Sequence, residues 1–417
     1  MRTDWDVIVV GAGLAGLTAG ATAATGGADT IVLEAHQTGG RARTVAKAGY
    51  VFNMGAHAFY RGGPGAKILC SLGVEPDGAP GPFPRYKLLK DGELHVMPTG
   101  PSSLMSTTAM GAASKAQFVR LLGLLPAMRP AKLSGTTVDE WIAEHNMRPD
   151  VAVIVRALIR LSTYVADTAE LSADAAIGQL QIGGRAGVLY LHGGWAQLFE
   201  GLSRRVQVEN RCKVASLEPD GHDVVVRTTD AVLRTRRVIV APGTPTATRA
   251  LLPADPGWPE LGRPVTAACL DLGLTRVPSP GYALSADQPL LGVVAGPPAR
   301  LAPEGRAVVQ AIRYGATDAD SDRRSLDDHV GRLGVDTADI ETSRFQARLV
   351  VAGSTPRAAD GGVPGRPRVT DSGQPGIYIA GDWVGPEGLL ADAAIASGHQ
   401  AAREALRNLE QAPALRP

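Results

Sequence analysis

The stretch that decides the fold runs from Asp4 to Thr44 and reads DWDVIVVGAGLAGLTAGATAATGGADTIVLEAHQTGGRART. Val7 to Val10 form a continuous apolar run, the pattern of a strand buried on both faces of a parallel sheet. Gly11, Gly13 and Gly16 follow at once, and a helix is predicted from about Leu14 to Thr25, with Ala15 in its first turn. Ile31 to Leu33 read as a second strand, which ends on Glu34 and Ala35.

Each glycine has a mechanical reason to be there. Gly11 permits the sharp turn out of the strand, Gly13 removes a Cβ where the backbone would approach a pyrophosphate, and Gly16 lets the helix pack closely on the sheet. The helix directs the positive end of its dipole at the phosphates. Glu34, at the carboxyl end of the second strand, can accept both ribose hydroxyls of an adenosine. Strand, glycine turn, helix and acid agree, which is the context the motif requires. The stretch therefore points to dinucleotide binding rather than to a bare βαβ packing unit.

The rest of the chain bounds the answer. A length of 417 residues exceeds what one core usually serves, so two domains are expected. Lys and Arg number 42 against 41 Asp and Glu, and no basic block with interleaved aromatics points to nucleic acid. Cys70, Cys212 and Cys269 are far apart and odd in number, fitting neither a disulfide framework nor a metal site. They read as buried thiols in a reducing cytoplasm. Met1 leads almost directly into a strand, without the pattern of a signal peptide. No apolar run approaches the ~18 residues of a membrane span. LLGLLPAM, Leu121 to Met128, lies between Lys115, Arg120, Arg129 and Lys132. It is either a peripheral membrane contact or a core or dimer-facing helix, and a homodimer stays open.

GGRART, Gly39 to Thr44, adds a second pair of glycines, Gly39 and Gly40, and two fixed cations, Arg41 and Arg43, near the same pyrophosphate. A nicotinamide-binding unit has no need of them. The combination resembles the long fingerprint of the FAD-dependent amine oxidase and phytoene desaturase superfamily. That resemblance implies FAD in extended form, adenosine at Glu34 and isoalloxazine reaching a second domain; with no cysteine near GDWVGPEG, attachment is expected to be non-covalent. YVFNMGAHAFYRGG, Tyr50 to Gly63, is similar to the loop that brings a G-x-H-x-F pattern to the flavin in desaturase-like members, here Gly55, His57 and Phe59, with Ala56 between. His57 either shuttles a proton or holds the loop by hydrogen bonds.

From about Pro64 to Leu189 the periodicity becomes mainly helical, with proline-rich joints around Pro76 to Pro84. Thr137 and Glu140 make a capping box that starts a helix near Val138. Val151 to Val165 should be a buried helix ending at Tyr164, which either lines a cavity or packs with its hydroxyl satisfied. Val188 to Val206 then resembles the segment that carries the superfamily chain back to the FAD domain, and Val214 matches the strand residue that packs on adenine. Val224 to Arg227 and Val232 to Thr235 alternate as a hairpin. VTAACLDLGL, GVVAG and AVVQAIRYG, between Pro264 and Thr355, read as strands of a cavity floor.

The closing segment, IYIAGDWVGPEGLLADAAIASGHQAA, reads as strand Ile377 to Ala380, turn Gly381-Asp382 and helix from Leu389 to about Leu406. It resembles the second FAD motif of the superfamily. Asp382 would accept from the ribityl chain or sit near the pyrophosphate. The free N–H groups of Leu389, Leu390 and Ala391 would face the pyrimidine edge, where the helix dipole stabilises negative charge. The expected fold is α/β: a Rossmann-like, doubly wound parallel-sheet FAD domain (1–63, 190–262 and 356–417) with an interleaved α+β substrate domain (64–189 and 263–355).

The expected activity is a dehydrogenase or desaturase that removes a hydride from a largely apolar small molecule or isoprenoid-like substrate. Amine-oxidizing members usually carry a lysine in a substrate-domain strand, and VTAACLDLGL has none. Their cage aromatic at the closing helix is Leu389 here, and aromatic content is only 5%. The alternatives are a flavin amine or amino-acid oxidase releasing hydrogen peroxide, and a non-catalytic lipid-binding protein of the same fold. Catalytic candidates are His57, Tyr164, Trp383 and Glu387, the last two for their place before the flavin-facing helix.

Overall fold

Asp4–Val10 forms the strand its apolar run predicts, pairing in parallel with Thr30–Glu34 on one side and Val232–Val240 on the other. Gln207–Asn210 extends the sheet beyond Thr30–Glu34, and Ile377–Ile379 pairs in parallel with the end of Val232–Val240. Segments from three distant parts of the sequence thus build one parallel sheet. In this computed structural model, residues 3–81 and 86–410 are described, so part of the proline-rich joint before Tyr86 lies outside the described residues. Val232–Val240 is long enough to serve twice. Its first half pairs antiparallel with Asp223–Thr228, which in turn pairs with Val214–Asp220.

Helix Leu14–Thr25 and closing helix Leu390–Glu410 pack together over this sheet. The core beneath them holds Val7, Ile8, Val9, Ile31, Val32, Val238, Ile239 and Ile377, all 1% exposed or less.

The second sheet runs in the order Ile340–Ala352, Val265–Leu274, Ala307–Tyr314, Leu290–Gly296, Tyr282–Ser285, Lys87–Lys90 and Glu93–Val96. The last two strands form a hairpin inside the stretch expected to be mainly helical. Helices Ala112–Leu124, Val138–Glu144, Pro149–Thr163 and Ala173–Ala186 pack into one core with one face of this sheet. Helix Pro64–Ser71 opens the expected helical insertion, yet it buries Leu69 in the first core and packs on the closing helix. Thr137 caps Val138–Glu144 as read, with Glu140 reaching back to the Thr137 N–H. Cys212 and Cys269 are buried, but Cys70 is exposed, so the expectation of three buried thiols holds for two. Among the described residues, no helix is long and apolar enough to cross a membrane.

Candidate functional site

The glycine turn leaves space on one side and none on the other. Gly11 turns at φ +100°. A Cβ on Gly16 would lie 1.8 Å from the Gly11 carbonyl oxygen, whereas one on Gly13 would meet nothing within 4 Å. The Gly39 N–H donates to the Ala12 carbonyl at 2.8 Å, which lays the second glycine loop on the first. Beside them opens a cleft of about 470 Å³ lined by Glu34, Ala35, His36, Gln37, Gly40, Arg43 and Arg211. The Glu34 carboxylate accepts the N–H groups of Ala12 at 2.7 Å and His36 at 2.9 Å, and each oxygen keeps a further lone pair. An open face at Gly13, an acceptor carboxylate and two guanidinium groups fit the adenosine diphosphate half of FAD. Ala15 is buried in the first helical turn, and Val214 is buried in the sheet core. Arg211 lines the cleft; an isolated cation in a turn gives no signal by which sequence reading could have found it.

Arg41 does not stand free beside the phosphates, as expected, but pairs with Asp382. Nη1 and Nη2 reach its two carboxylate oxygens at 2.8 and 3.1 Å, and Nη1 also donates to the Val351 carbonyl at 3.0 Å. The Asp382 side chain is 2% exposed and also accepts the Gly353 N–H at 3.0 Å. A carboxylate this deep needs a counter-ion, so the pair ties the GGRART loop to the closing motif.

His57 sits on a loop between the first core, through Trp195, and the second, through Cys269. Nδ1 lies 2.8 Å from the Gly55 carbonyl oxygen, and the ring meets the Trp195 indole edge-on at 4.9 Å. Burial pushes its pKa down, and the charges of Arg41 and Arg344 act in the same direction against the Gly55 hydrogen bond. The Tyr164 hydroxyl donates to the Ala56 carbonyl at 2.6 Å, and the buried Cys269 thiol is hydrogen-bonded to the Ala56 backbone. Tyr164 holds φ at +63° at the end of its helix, a strained conformation for a non-glycine residue.

Six of the eight tyrosines gather on the same side of the molecule. Tyr164 meets Tyr314 edge-on at 5.6 Å, Tyr86 stacks on Tyr282 at 3.9 Å, and Tyr190 hydrogen-bonds Tyr86. Burial pushes the hydroxyls of Tyr60 and Tyr86 up to about 12, and those of Tyr164, Tyr190, Tyr282 and Tyr314 up as well. The Tyr314 hydroxyl is buried without a partner among the described residues. His57, Tyr60 and Tyr164 are shifted by burial and are half-buried.

Trp383 and Glu387 are not among these contacts. Trp383, 1% exposed, packs edge-on against Trp258 at 5.1 Å within the first core. Glu387 is exposed on the loop before the closing helix. Sequence proximity to the turn says nothing about where either side chain points. Leu389 and Leu390 instead join the second core, with Leu390 at φ +54°, so the helix starts one residue later than read.

Asp392, in the first turn of the closing helix, is 5% exposed and accepts the Gly65 N–H at 2.9 Å. Burial pushes its carboxyl from 3.8 up to about 7, only partly offset by that hydrogen bond. With the folded pKa above the unfolded one, the stabilising protonated form is lost as pH rises through about 7. Asp392→Asn keeps an acceptor for Gly65 and removes the charge. Its stability advantage over the parent should therefore grow by about 2 kcal/mol between pH 5 and pH 8, read from urea midpoints at both. An advantage that is flat across that range would contradict a titrating Asp392.

The family model for flavin containing amine oxidoreductases matches residues 14–277. Wild-type putrescine oxidase bound to putrescine is similar in structure, with 16% identity and a TM-score of 0.70 over 97% of this chain and 99% of that one. Cyclohexylamine oxidase from Brevibacterium oxydans gives 18% and 0.69 over 98% and 100%. A candidate protoporphyrinogen oxidase from Exiguobacterium gives 15% and 0.69 over 98% and 99%. At these identities the likeness is one of fold. No curated protein matches the chain by sequence.

Proposed function

The chain belongs to the flavin-containing amine oxidoreductase family, and from that premise we propose that it takes a hydride from a carbon of a largely apolar small molecule. FAD, when bound, supplies the hydride acceptor. The chain's residues bind and orient the reactants and keep water out. In this reading Glu34, Arg43 and Arg211 hold the adenosine half, and the Gly55–His57 loop and the Leu389–Leu390 turn border the flavin. Residues 1–63, 190–262 and 356–417 carry the cofactor, joined by helix Pro64–Ser71, and most of 64–189 with 263–355 carries the substrate. Attachment is non-covalent: Cys269, the thiol beside the loop, is held in its unreactive protonated form by burial.

The observation that carries the apolar reading is the neutrality of the wall. Tyr60, Tyr164, Tyr314, Cys269 and a His57 kept neutral by burial surround the loop. The nearby buried carboxylates are engaged, Asp271 by Arg344 and Asp392 by the Gly65 N–H, so neither is free to hold an ammonium group. A second reading, oxidation of an amine, draws on the tyrosine faces, which can accept a cation. The low overall aromatic content had argued against such a cage, and the clustering removes that argument.

Anaerobic mixing of the yellow holoprotein with matched apolar alkenes, cyclic compounds and amines separates these readings. Bleaching by the uncharged compounds is expected, and bleaching by amines alone would replace the first reading with the second. His57→Ala should keep bound FAD and slow the bleaching about 100-fold if His57 handles a proton. A parental rate would remove it from the chemistry.

The same reading extends to the surface. Met105, Val119, Leu122 and Leu124 are exposed beside Lys115, Arg120, Arg129 and Lys132, which suits a peripheral contact with an anionic bilayer. Free thiols suit a reducing compartment such as the cytoplasm.

A further inference from the structure

Three adjacent strands of the second sheet carry a polar row where an apolar one would be cheaper. In the register of the sheet, Asp271 stands opposite Gln310 on one neighbouring strand and opposite Arg344 on the other. Asp271 is fully buried and Gln310 is 1% exposed. Arg344 Nε and Nη2 reach Asp271 Oδ2 at 3.0 and 2.6 Å, and Gln310 Nε2 donates to Asp271 Oδ1 at 3.0 Å. Replacing such a buried ionic row with packed apolar residues is often neutral or stabilising, so stability alone does not account for it.

The row ends on the loop that bears His57. Gln310 Nε2 also donates to the Gly55 carbonyl at 2.9 Å, and Arg344 Nη2 donates to the Asn53 carbonyl. Both amide hydrogens of Gln310 are therefore spent, one on Gly55 and one on Asp271, while its buried Oε1 has no partner among the described residues. Rotating the amide would set its oxygen against a carboxylate and a carbonyl, so the orientation is fixed by what it donates to. The Ala56 N–H, on the same peptide as the Gly55 carbonyl, faces the Cys269 thiol, and Tyr164 holds the next peptide through the Ala56 carbonyl. Two consecutive peptide planes are thus gripped by side chains from three segments of the chain.

The consequence falls on the imidazole. The Gly55 carbonyl can only accept, so a His57 Nδ1 at 2.8 Å from it carries the hydrogen. Nε2 is then left with a lone pair; it has no protein partner among the described residues, and the side chain is half-buried. We propose that the Gln310–Asp271–Arg344 row is a positioning device that holds the Gly55 carbonyl on His57 Nδ1, so that Nε2 is a hydrogen-bond acceptor for an N–H or O–H of the substrate or of a water beside it. The proposal rests on the reading that His57 faces the substrate. Where that donor belongs to the substrate, it stands next to the reacting carbon. Gln310 is the positioning residue, since it alone links the ion pair to the carbonyl.

The test needs no substrate, so it stands or falls separately from the oxidation reading. The holoprotein is labelled with 15N-histidine, and long-range 1H–15N spectra assign His57 by the signal lost in His57→Gln. The parent is expected to show one neutral tautomer with Nε2 unprotonated. Gln310→Met, of similar length and without donors, should shift the tautomer ratio about fivefold or more toward the Nε2–H form, the worth of one hydrogen bond, with bound FAD retained. If Gln310→Met does not fold, Gln310→Asn makes the same test: its amide can stay on Asp271 but stops a methylene short of Gly55. A parent His57 with Nε2 protonated, or an unchanged tautomer in a folded Gln310 variant, would overturn the proposal.

Discussion

Gly16→Ala is expected to give protein without bound flavin and without a cooperative unfolding transition, while Gly13→Ala, three residues earlier, should fold as the parent does and lose only its grip on FAD. The two glycines belong to one motif, but their surroundings differ. A Cβ on Gly16 would sit 1.8 Å from the Gly11 carbonyl oxygen, inside any contact distance, and that carbonyl is backbone with nowhere to go. Strand Asp4–Val10 is held between two parallel partners, so the turn cannot retreat either. Relief would require the helix to leave the sheet, a loss of about 5 kcal/mol or more. Gly13 has an extended backbone, φ −78° and ψ 179°, that alanine adopts freely, and its Cβ would point into open space. That space is where the pyrophosphate belongs. Its loss should weaken FAD about 10- to 100-fold while the melting temperature of the apoprotein stays parental. Equal melting temperatures for the two variants would show that the glycines share one role.

This contrast also marks what was legible in the chain. The glycine turn, Glu34 and the Thr137 capping box are local devices: spacing along the sequence fixes their spacing in space, and the structure has each where it was read. The polar row was invisible for the opposite reason. Asp271 stands 39 residues from Gln310 and 73 from Arg344, and only sheet register aligns them. VTAACLDLGL reads as a strand of a cavity floor, and nothing local in it signals that Asp271 pairs with both neighbouring strands. The tyrosines were hidden by averaging, since a low aromatic total says nothing of where the aromatics collect. Trp383 and Glu387 illustrate a different limit. Their positions beside the Gly381-Asp382 turn were right, but a turn reverses direction within a residue or two. One side chain faces the first core and the other faces solvent.

Asp382→Ala should cost about 3 kcal/mol of stability and most of the bound flavin, and Arg41→Ala should cost more. The order follows from burial. The Asp382 side chain is 2% exposed and that of Arg41 34% exposed, so Asp382→Ala strands a cation that water reaches and that keeps the Val351 carbonyl as a partner. Removing Arg41 strands a carboxylate deep in the protein, with the Gly353 N–H and the charge of the buried Arg366 left to offset it. Breaking a buried pair from one side typically costs ~3–5 kcal/mol, chiefly through the charge left behind. The double variant leaves no stranded charge. Its loss should fall short of the sum of the two single losses by at least about 1 kcal/mol, measured as urea midpoints on one double-mutant cycle. Flavin per chain, measured alongside, should fall in all three. The pair is the direct tie between the GGRART loop, which carries the phosphate half, and the closing motif, which borders the flavin half. Strictly additive losses with flavin retained would mean the two halves are held together by the sheet alone.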